Sequence, residues 1–305
     1  KHIDEHFYTD QAGEQEYICQ NCGAKIITNK ETTATKCSFC GSAVVLSDQL
    51  TGSYKPAKVI PFRITKAEAE AAFKQWSKKL LFAPNDFKND VRIRELTGIY
   101  VPFWLCHLAG QGEALADATI THRYSRGDDE VIETAHFNVY RKVDTRFENV
   151  PFDASEKMAD DLMDKLEPFD YGELYDFDSP YLAGYLAEKY DFTVKDMKER
   201  IDKRMKNYVD DYVRASMTGY DSINIIDRDY NIISQKENYT MLPVWMVYSG
   251  YQNSEYIFAM NGQTGKIAGN PPVDKGKVAL ASVGVTLLIF FILRLITFLL
   301  GGPIL

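Results

Sequence analysis

Two short cysteine pairs near the start of the chain set the tightest limit on what it can fold into. They are Cys19-Gln-Asn-Cys22-Gly23 and Cys37-Ser-Phe-Cys40-Gly41, with fourteen residues between them. Two cysteines separated by two residues can aim both sulfurs at one ion, and the glycine that follows lets backbone amides turn toward the thiolates. Two such corners make a tetrahedral site of four thiolates for one zinc ion, Cys19, Cys22, Cys37 and Cys40. The other readings are two disulfides or four unrelated core side chains. Disulfides need an oxidising compartment. Nothing else points to one: the fifth cysteine, Cys106, stands unpaired in an apolar run, and no secretory signal is legible at the start.

Four thiolates fill every coordination position, so the expected zinc is structural and leaves no place for an activated water. A segment this short has too little apolar surface to fold alone, and a tight metal replaces a core. Tyr17, Ile18, Ile26, Ile27, Phe39 and the run Val44 to Leu46 supply the remaining apolar contacts. Short strands are expected, with a hairpin between the knuckles.

The second constraint is Val278 to Leu300, VALASVGVTLLIFFILRLITFLL, with one charge in twenty-three residues. At about 1.5 Å rise per residue it reaches roughly 34 Å, enough for a hydrocarbon core of about 30 Å. The alternative, a buried core helix, would be unusually long and apolar on every face. Arg294, near the far end, either snorkels to the headgroups or ends a shorter crossing. Lys275 and Lys277, with Asp274 beside them, precede the span, and no Lys or Arg follows Leu300. The positive-inside rule then places the large N-terminal part in the cytoplasm, at the cell membrane, where thiols stay reduced.

The fold class expected is α+β: a polar leader over 1–14, a zinc ribbon over 15–47, and a sheet-rich body with amphipathic helices over 55–270. A juxtamembrane linker over 271–277 and a transmembrane helix over 278–300 follow. About 230 residues between ribbon and membrane can bury a sizeable core. Net charge is -8 overall. Residues 1–50 carry four Lys or Arg against seven Asp or Glu, 4 - 7 = -3. The ribbon therefore lacks the basic footprint of a nucleic-acid binder.

Along the body, Val59 to Phe62 reads as a short strand. Thr65-Lys-Ala-Glu68 is a capping box opening a helix with Ala69, Ala72, Phe73, Trp76 and Leu80 at helical spacing, closed before Pro84. From Ile99 the pattern is sheet, with a Gly127-Asp128-Asp129 turn. A long alternating strand follows, with Ala135, Phe137, Val139, Val143 and Phe147 on one face. Unbroken from Val131 to Val150 it would extend about 60 Å, so it should bend, bulge or project. Ser155 is expected to cap a helix through Met158, Leu162 and Leu166, and Ser179-Pro180 to open one through Leu182, Tyr185 and Leu186. Thr193 caps the longest, whose face is Met197, Ile201, Met205, Tyr208, Val209, Tyr212 and Val213, with Gly219 ending it. SINIID, YTMLPVWMVYSGY and EYIFAMNG read as an antiparallel meander, with the prolines of Val-Pro-Phe-Trp and Leu-Pro-Val-Trp at edges or bulges.

Polar candidates are sparse. His2 and His6 share a helical spacing in a polar leader without partners. His122 and His136 flank the turn and could meet across a hairpin, although a solvated pair is the plainer reading. The acidic and aromatic stretch 167–181 fits neither a calcium loop nor a carboxylate dyad and reads as capping and packing. No phosphate-cradling glycine loop, nucleophile elbow or zinc-protease helix appears, so no catalytic residue is assigned.

Several segments resemble a bacterial family of membrane-anchored proteins with a TFIIB-type zinc ribbon. They are CQNCG to CSFCG, VIPFRITKAEA, GIYVPFWLC, NVPFDASEKM, EPFDYGELYDFDSPYLAGYLAEKYD, LPVWMVY and YIFAMNGQTGKIAG. The resemblance covers nearly the whole chain. It implies a non-catalytic membrane adaptor of membrane-stress response, linked to phage-shock and SPFH-type systems, whose partners are the membrane, a soluble protein and a second membrane subunit, with an oligomer among the assemblies it allows. It carries over only Cys19, Cys22, Cys37 and Cys40 as a site. The resulting expectation is a cytoplasm-facing scaffold, with nucleic-acid binding and a membrane enzyme as the rival classes.

Overall fold

The computed structural model describes residues 14–19, 21–23, 25–29, 32–36, 42–46, 55–89, 92–127, 129–252 and 254–299. Cys37, Cys40, Phe39, His2 and His6 lie outside the described residues. The fold is mixed α+β and rich in sheet. The chain divides into two units, one drawn from 1–61, 99–164 and 170–243, the other from 62–98, 165–169 and 244–305.

In the first unit, β1 (Glu14–Ile18) and β2 (Lys25–Asn29) form an antiparallel sheet of their own, Ile18 opposite Lys25. β3 (Thr32–Lys36) pairs antiparallel with β4 (Ala43–Val45), and its other edge takes β9 (Leu186–Glu188). The expected hairpin between the knuckles is not made by β2 and β3: both edges of β3 are occupied by β4 and β9, and Cys19 and Cys22 fall between β1 and β2. Ile18, expected to pack, is 59% exposed, whereas Leu46 is buried.

The first unit is dominated by long strands. β5 (Lys58–Val59) runs parallel to β10 (Ser222–Tyr251) at Thr240 and Met241, and antiparallel to β8 (Tyr175–Asp176). β6 (Arg92–Arg126) and β7 (Asp129–Asp153) form a hairpin from Phe103 opposite Asp153 to Arg126 opposite Asp129, with Gly127 at φ 69° in its turn. The expected relief of so long a strand is present. Cys106 faces Val150 while Leu108 faces Phe147, so β7 carries an extra residue there, and Asn149 takes φ 53°. Farther out, His122 to Arg126 and Ile132 to Asn138 are exposed on both faces of the hairpin.

Prolines mark where a strand changes partner. β6 pairs with β9 at Ile99 and Tyr100 and with β7 from Phe103 onward, and Pro102 lies between. β10 pairs with β5 at Thr240 and Met241 and with β11 (Ser254–Asn261) from Val244, with Pro243 between. A residue without an N–H costs least where one ladder has stopped and the next has not begun. The prolines are therefore at interior partner changes, and Pro102 is itself buried.

α4 (Lys198–Ser216) crosses the hairpin on small residues of β6, Gly110, Ala114, Ala116 and Ala118, which share one face of the strand. Val209, Val213 and Met217 pack with these alanines and with Val139 and Val143. Upstream, Met197, Ile201 and Met205 pack with Cys106, Leu108, Val150 and Phe152. Side chains larger than methyl would hold the helix off. A Cβ at Gly110 would meet Val209 Cγ2 of α4 at 2.7 Å, whereas one at Gly112 would meet the Asp229 carbonyl oxygen of β10 at 2.7 Å, so Gly112 makes room for that strand and not for the helix. Tyr208 and Tyr212, expected on this face, are exposed, because each lies one residue, about 100°, off the i, i+4 stripe. Thr193 closes a turn through Asp196 Oδ2, but the helix proper begins at Lys198 and ends at Ser216, ahead of Gly219.

Two expected helices are shortened or absent. The one after Ser155 is reduced to α3 (Asp160–Asp164), with Met158 before it and Leu166 after it. Ser179–Leu182 make a single 3-10 turn, Gly184 takes φ 89°, and Leu186 enters β9, parallel to Ile99 and Tyr100. The ladder between β6 and β3 claims this backbone over its local helical pattern.

The second unit opens with α1 (Lys66–Lys78), whose capping box forms as expected. Thr65 Oγ1 accepts from Glu68 N at 3.3 Å and Thr65 N donates to Glu68 Oε2 at 2.8 Å. Phe73 is buried against Trp76 and Phe258. A short α2 (Asn85–Asn89) follows. The expected meander is Val244 to Tyr251 of β10, then β11, then β12 (Ile267–Gly269). Asn261 closes its last turn, accepting from Gln263 N and Thr264 N at 2.9 Å each and donating to the Leu166 carbonyl at 3.1 Å. α5 (Lys275–Leu299) begins inside the expected linker: Asp274 Oδ1 accepts from Gly276 N at 2.8 Å and caps it, so 275–277 are helical. From Val278 to Thr297 its side chains are exposed apart from partly covered Ala281 and Arg294. It is long and apolar enough to cross a membrane and is not a buried core helix.

Gly112→Ala should destabilise the protein by about 1–3 kcal/mol, because the Asp229 carbonyl that the methyl meets is backbone in a paired strand. Chemical denaturation of the detergent-solubilised chain against wild type measures it, and an unchanged midpoint would contradict the close approach of β10 at Gly112.

Candidate metal centre

The first knuckle has the shape its sequence requires. The Gly23 amide donates to the Cys19 carbonyl at 2.8 Å, and Gly23 sits at φ 73°, a conformation a side chain would strain. That turn brings the backbone amides of Cys22 and Asn21 toward the sulfur of Cys19. Cys19 is 1% exposed and Cys22 is exposed. The Ser42 hydroxyl lies 3.4 Å from Cys19 Sγ. These donors, Ser42 first and then the Cys22 and Asn21 amides, hold the Cys19 thiol below its ordinary range.

Ser42 is the second residue after Cys40. Although β1–β2 and β3–β4 belong to different sheets, the Ser42 contact brings the start of β4 to the first knuckle, 23 residues away in sequence. Among the described residues no group of three or more His, Cys, Asp or Glu side chains could hold a metal. Two of the four expected ligands, Cys37 and Cys40, lie outside those residues, and the described pair is Cys19 and Cys22. A sulfur ringed by N–H and O–H donors suits a thiolate, so the described pair fits a zinc ligand set.

Cys106 shows the contrast. It is buried in the sheet beside Leu108 and Phe152, and burial, aided by the negative charge of Glu237, pushes its thiol up to about 12. It is an inert core thiol. His122 and His136 do not meet across the hairpin: His122 is opposite Glu133 and His136 opposite Thr119. In the acidic stretch, Asp170 Oδ1 accepts from Gly172 N at 3.0 Å, Asp176 pairs with Lys58 at 2.6 Å, and Tyr175 stacks with Tyr181. These are capping and packing contacts.

A polar cluster invisible in the sequence joins α3 and α4 to the end of β7. Arg200 reaches Asp153 Oδ1 at 2.8 Å, Asp160 at 2.9 Å and Asp164 at 2.9 Å. Arg204 reaches Asp164 at 3.1 Å and the Pro151 carbonyl at 3.0 Å, and lies over the Phe152 ring at 5.1 Å. A groove of about 600 Å³ runs beside them, lined by Asp160, Asp164, Glu199, Arg200 and Lys203 among others. Arg200 and Arg204 are both engaged by these acids. Asp153 is 1% exposed, and its Oδ2 has no hydrogen-bond donor among the described residues. Burial pushes its carboxyl up to about 6, against the pull of Arg200.

Because the folded value lies above the unfolded value of 3.8, the folded state holds a proton that the unfolded state has released between about pH 4 and 6. The contribution of Asp153 to stability therefore falls as pH rises through that window, by on the order of 2–3 kcal/mol. Asp153→Asn should remove this part of the pH dependence. Denaturant midpoints of variant and wild type should diverge in favour of the variant from pH 4 to pH 7, and parallel curves would contradict the assignment.

No family model matches the sequence, and no solved structure does. The chain is 46% identical over 335 aligned positions to the uncharacterized protein YdjG of Bacillus subtilis (strain 168), the alignment covering 94% of this chain and 98% of that protein.

Proposed function

The chain belongs to the family of the Bacillus subtilis protein YdjG, and from that premise we propose that it is a membrane-anchored scaffold whose zinc-bound head recruits protein partners at the cytoplasmic face. The observation that carries the reading is the 3.4 Å approach of Ser42 to Cys19, which supports a shared site for the two knuckles. In it Cys19, Cys22, Cys37 and Cys40 hold one structural Zn2+, which ties together strands too short to make a core. α5, uncovered by protein along its apolar length, is the anchor. Lys275 and Lys277 at its start favour a cytoplasmic location for the head by the positive-inside rule. The deficit of basic residues over 1–50 disfavours a nucleic-acid partner. The resemblance of the motifs alone supports SPFH-type or phage-shock proteins, and a second membrane subunit, as partners in membrane stress.

The test uses the full chain extracted from membranes in mild detergent. Elemental analysis should give one zinc per chain, and Cys19→Ser with Cys22→Ser should lose at least about tenfold in occupancy at limiting zinc, since two of four thiolates are gone. Cross-linked partners recovered with wild type should be lost in the same variant. Partner recovery that survives verified loss of zinc would reject the head as the recruiting element, and a chain found in the soluble fraction would reject the anchor.

A further inference from the structure

The loop between α1 and α2 is tied to the first turn of α5. The Asp274 amide donates to the Phe82 carbonyl at 2.8 Å. Lys277 Nζ donates to the Ala83 carbonyl at 2.7 Å and to Asn85 Oδ1 at 2.6 Å. The loop sequence is Lys78-Lys-Leu-Leu-Phe-Ala-Pro84. Ala83 and Phe87 turn inward and are buried, while Leu81 is 78% exposed and Phe82 45% exposed. Val273, next to the tethered Asp274, is exposed as well. Two adjacent large apolar side chains turned to water, with their neighbours folded inward, need a covering surface.

We propose that Leu81 and Phe82 insert into the headgroup and acyl boundary of the leaflet that α5 enters, as a second, interfacial contact of the protein with an anionic bilayer. The inference rests on the reading of α5 as the membrane anchor. Its ground is continuity: two hydrogen bonds to the loop and one to Asn85 at the start of α2 hold this segment at the cap residue Asp274 and at Lys277, and the apolar run starts at Val278. From Asp274 to Val278 the helix rises only about 6 Å, within the roughly 5–10 Å depth at which interfacial side chains lie. The surroundings suit the same surface. Lys78 and Lys79 precede the apolar pair and are exposed, and exposed Lys275 opens the helix, so cations flank apolar side chains as they do in segments that bind anionic headgroups. The hydrogen bonds of Lys277 keep the loop from swinging away from the helix axis.

Full chain reconstituted into vesicles of phosphatidylcholine and phosphatidylglycerol, with lipids brominated near the headgroup or near the bilayer centre, tests this. Tryptophan is introduced singly as Leu81→Trp, Phe82→Trp or, within the span, Phe290→Trp, and the three native tryptophans set the baseline. Leu81→Trp and Phe82→Trp should each lose at least about twofold of their added emission to shallow bromines and much less to deep ones, with Phe290→Trp quenched by the deep set. Quenching at 290 with none at 81 or 82 would overturn the inference and leave the anchor standing, since the loop would then face water or another protein chain. No quenching at 290 would overturn both.

Discussion

A strand of 35 residues has to find hydrogen-bond partners for its N–H and C=O groups along its whole length, and no single neighbour of ordinary size can supply them. β6 meets this demand by exchanging β9 for β7 and by pairing with β10 as well, and β10 exchanges β5 for β11. The prolines at 102 and 243 stand in the gaps between successive ladders, where a missing donor leaves nothing unpaired. The bulge at Asn149 bends β7 and sharpens its local twist, so the long hairpin does not run straight. Around this frame the rest is arranged. The small residues from Gly110 to Ala118 admit α4, and α4 carries the arginines that reach the buried Asp153.

Two chemistries of the same residue type separate the head from the frame. Cys19 is surrounded by donors that favour its thiolate, whereas burial drives Cys106 toward the neutral thiol. The difference lies in the environment: a tight turn presents amides to the first, and a sheet core presents methyl and ring carbons to the second. Ion pairing plays a comparable part where apolar surface is short, since α3 has only five residues and is held by Arg200 and Arg204 as well as by buried Met163.

Features encoded within a few residues were legible. The capping box at Thr65, the turn at Gly127, the alternation that buries Val139 and Val143, and the apolar length of α5 all follow from side-chain chemistry at short separation. The helix expected after Ser179 failed for the opposite reason. Its local pattern is helical enough, but Leu186–Glu188 is needed between two distant strands, and a ladder on both edges outweighs weak helix propensity. The site divides in the same way. The cysteine spacing and the glycine that shapes the knuckle are visible in the sequence, while the approach of Ser42 and the convergence of three aspartates on Arg200 join residues 23 to 47 positions apart. No periodicity announces such contacts.

By itself the sequence determined the chemical endowment of the chain: paired thiols with turn-forming glycines, an apolar segment of membrane length, and the faces of α1 and α4. These depend on covalent geometry and near neighbours. Only the tertiary structure decided which strand each long strand pairs with, where the prolines fall relative to those exchanges, which carboxylate loses its water, and that the α1–α2 loop is fastened to the start of α5. Each of those outcomes turns on desolvation and hydrogen bonding between groups far apart along the chain, and such energies exist only once the backbone has brought the groups together.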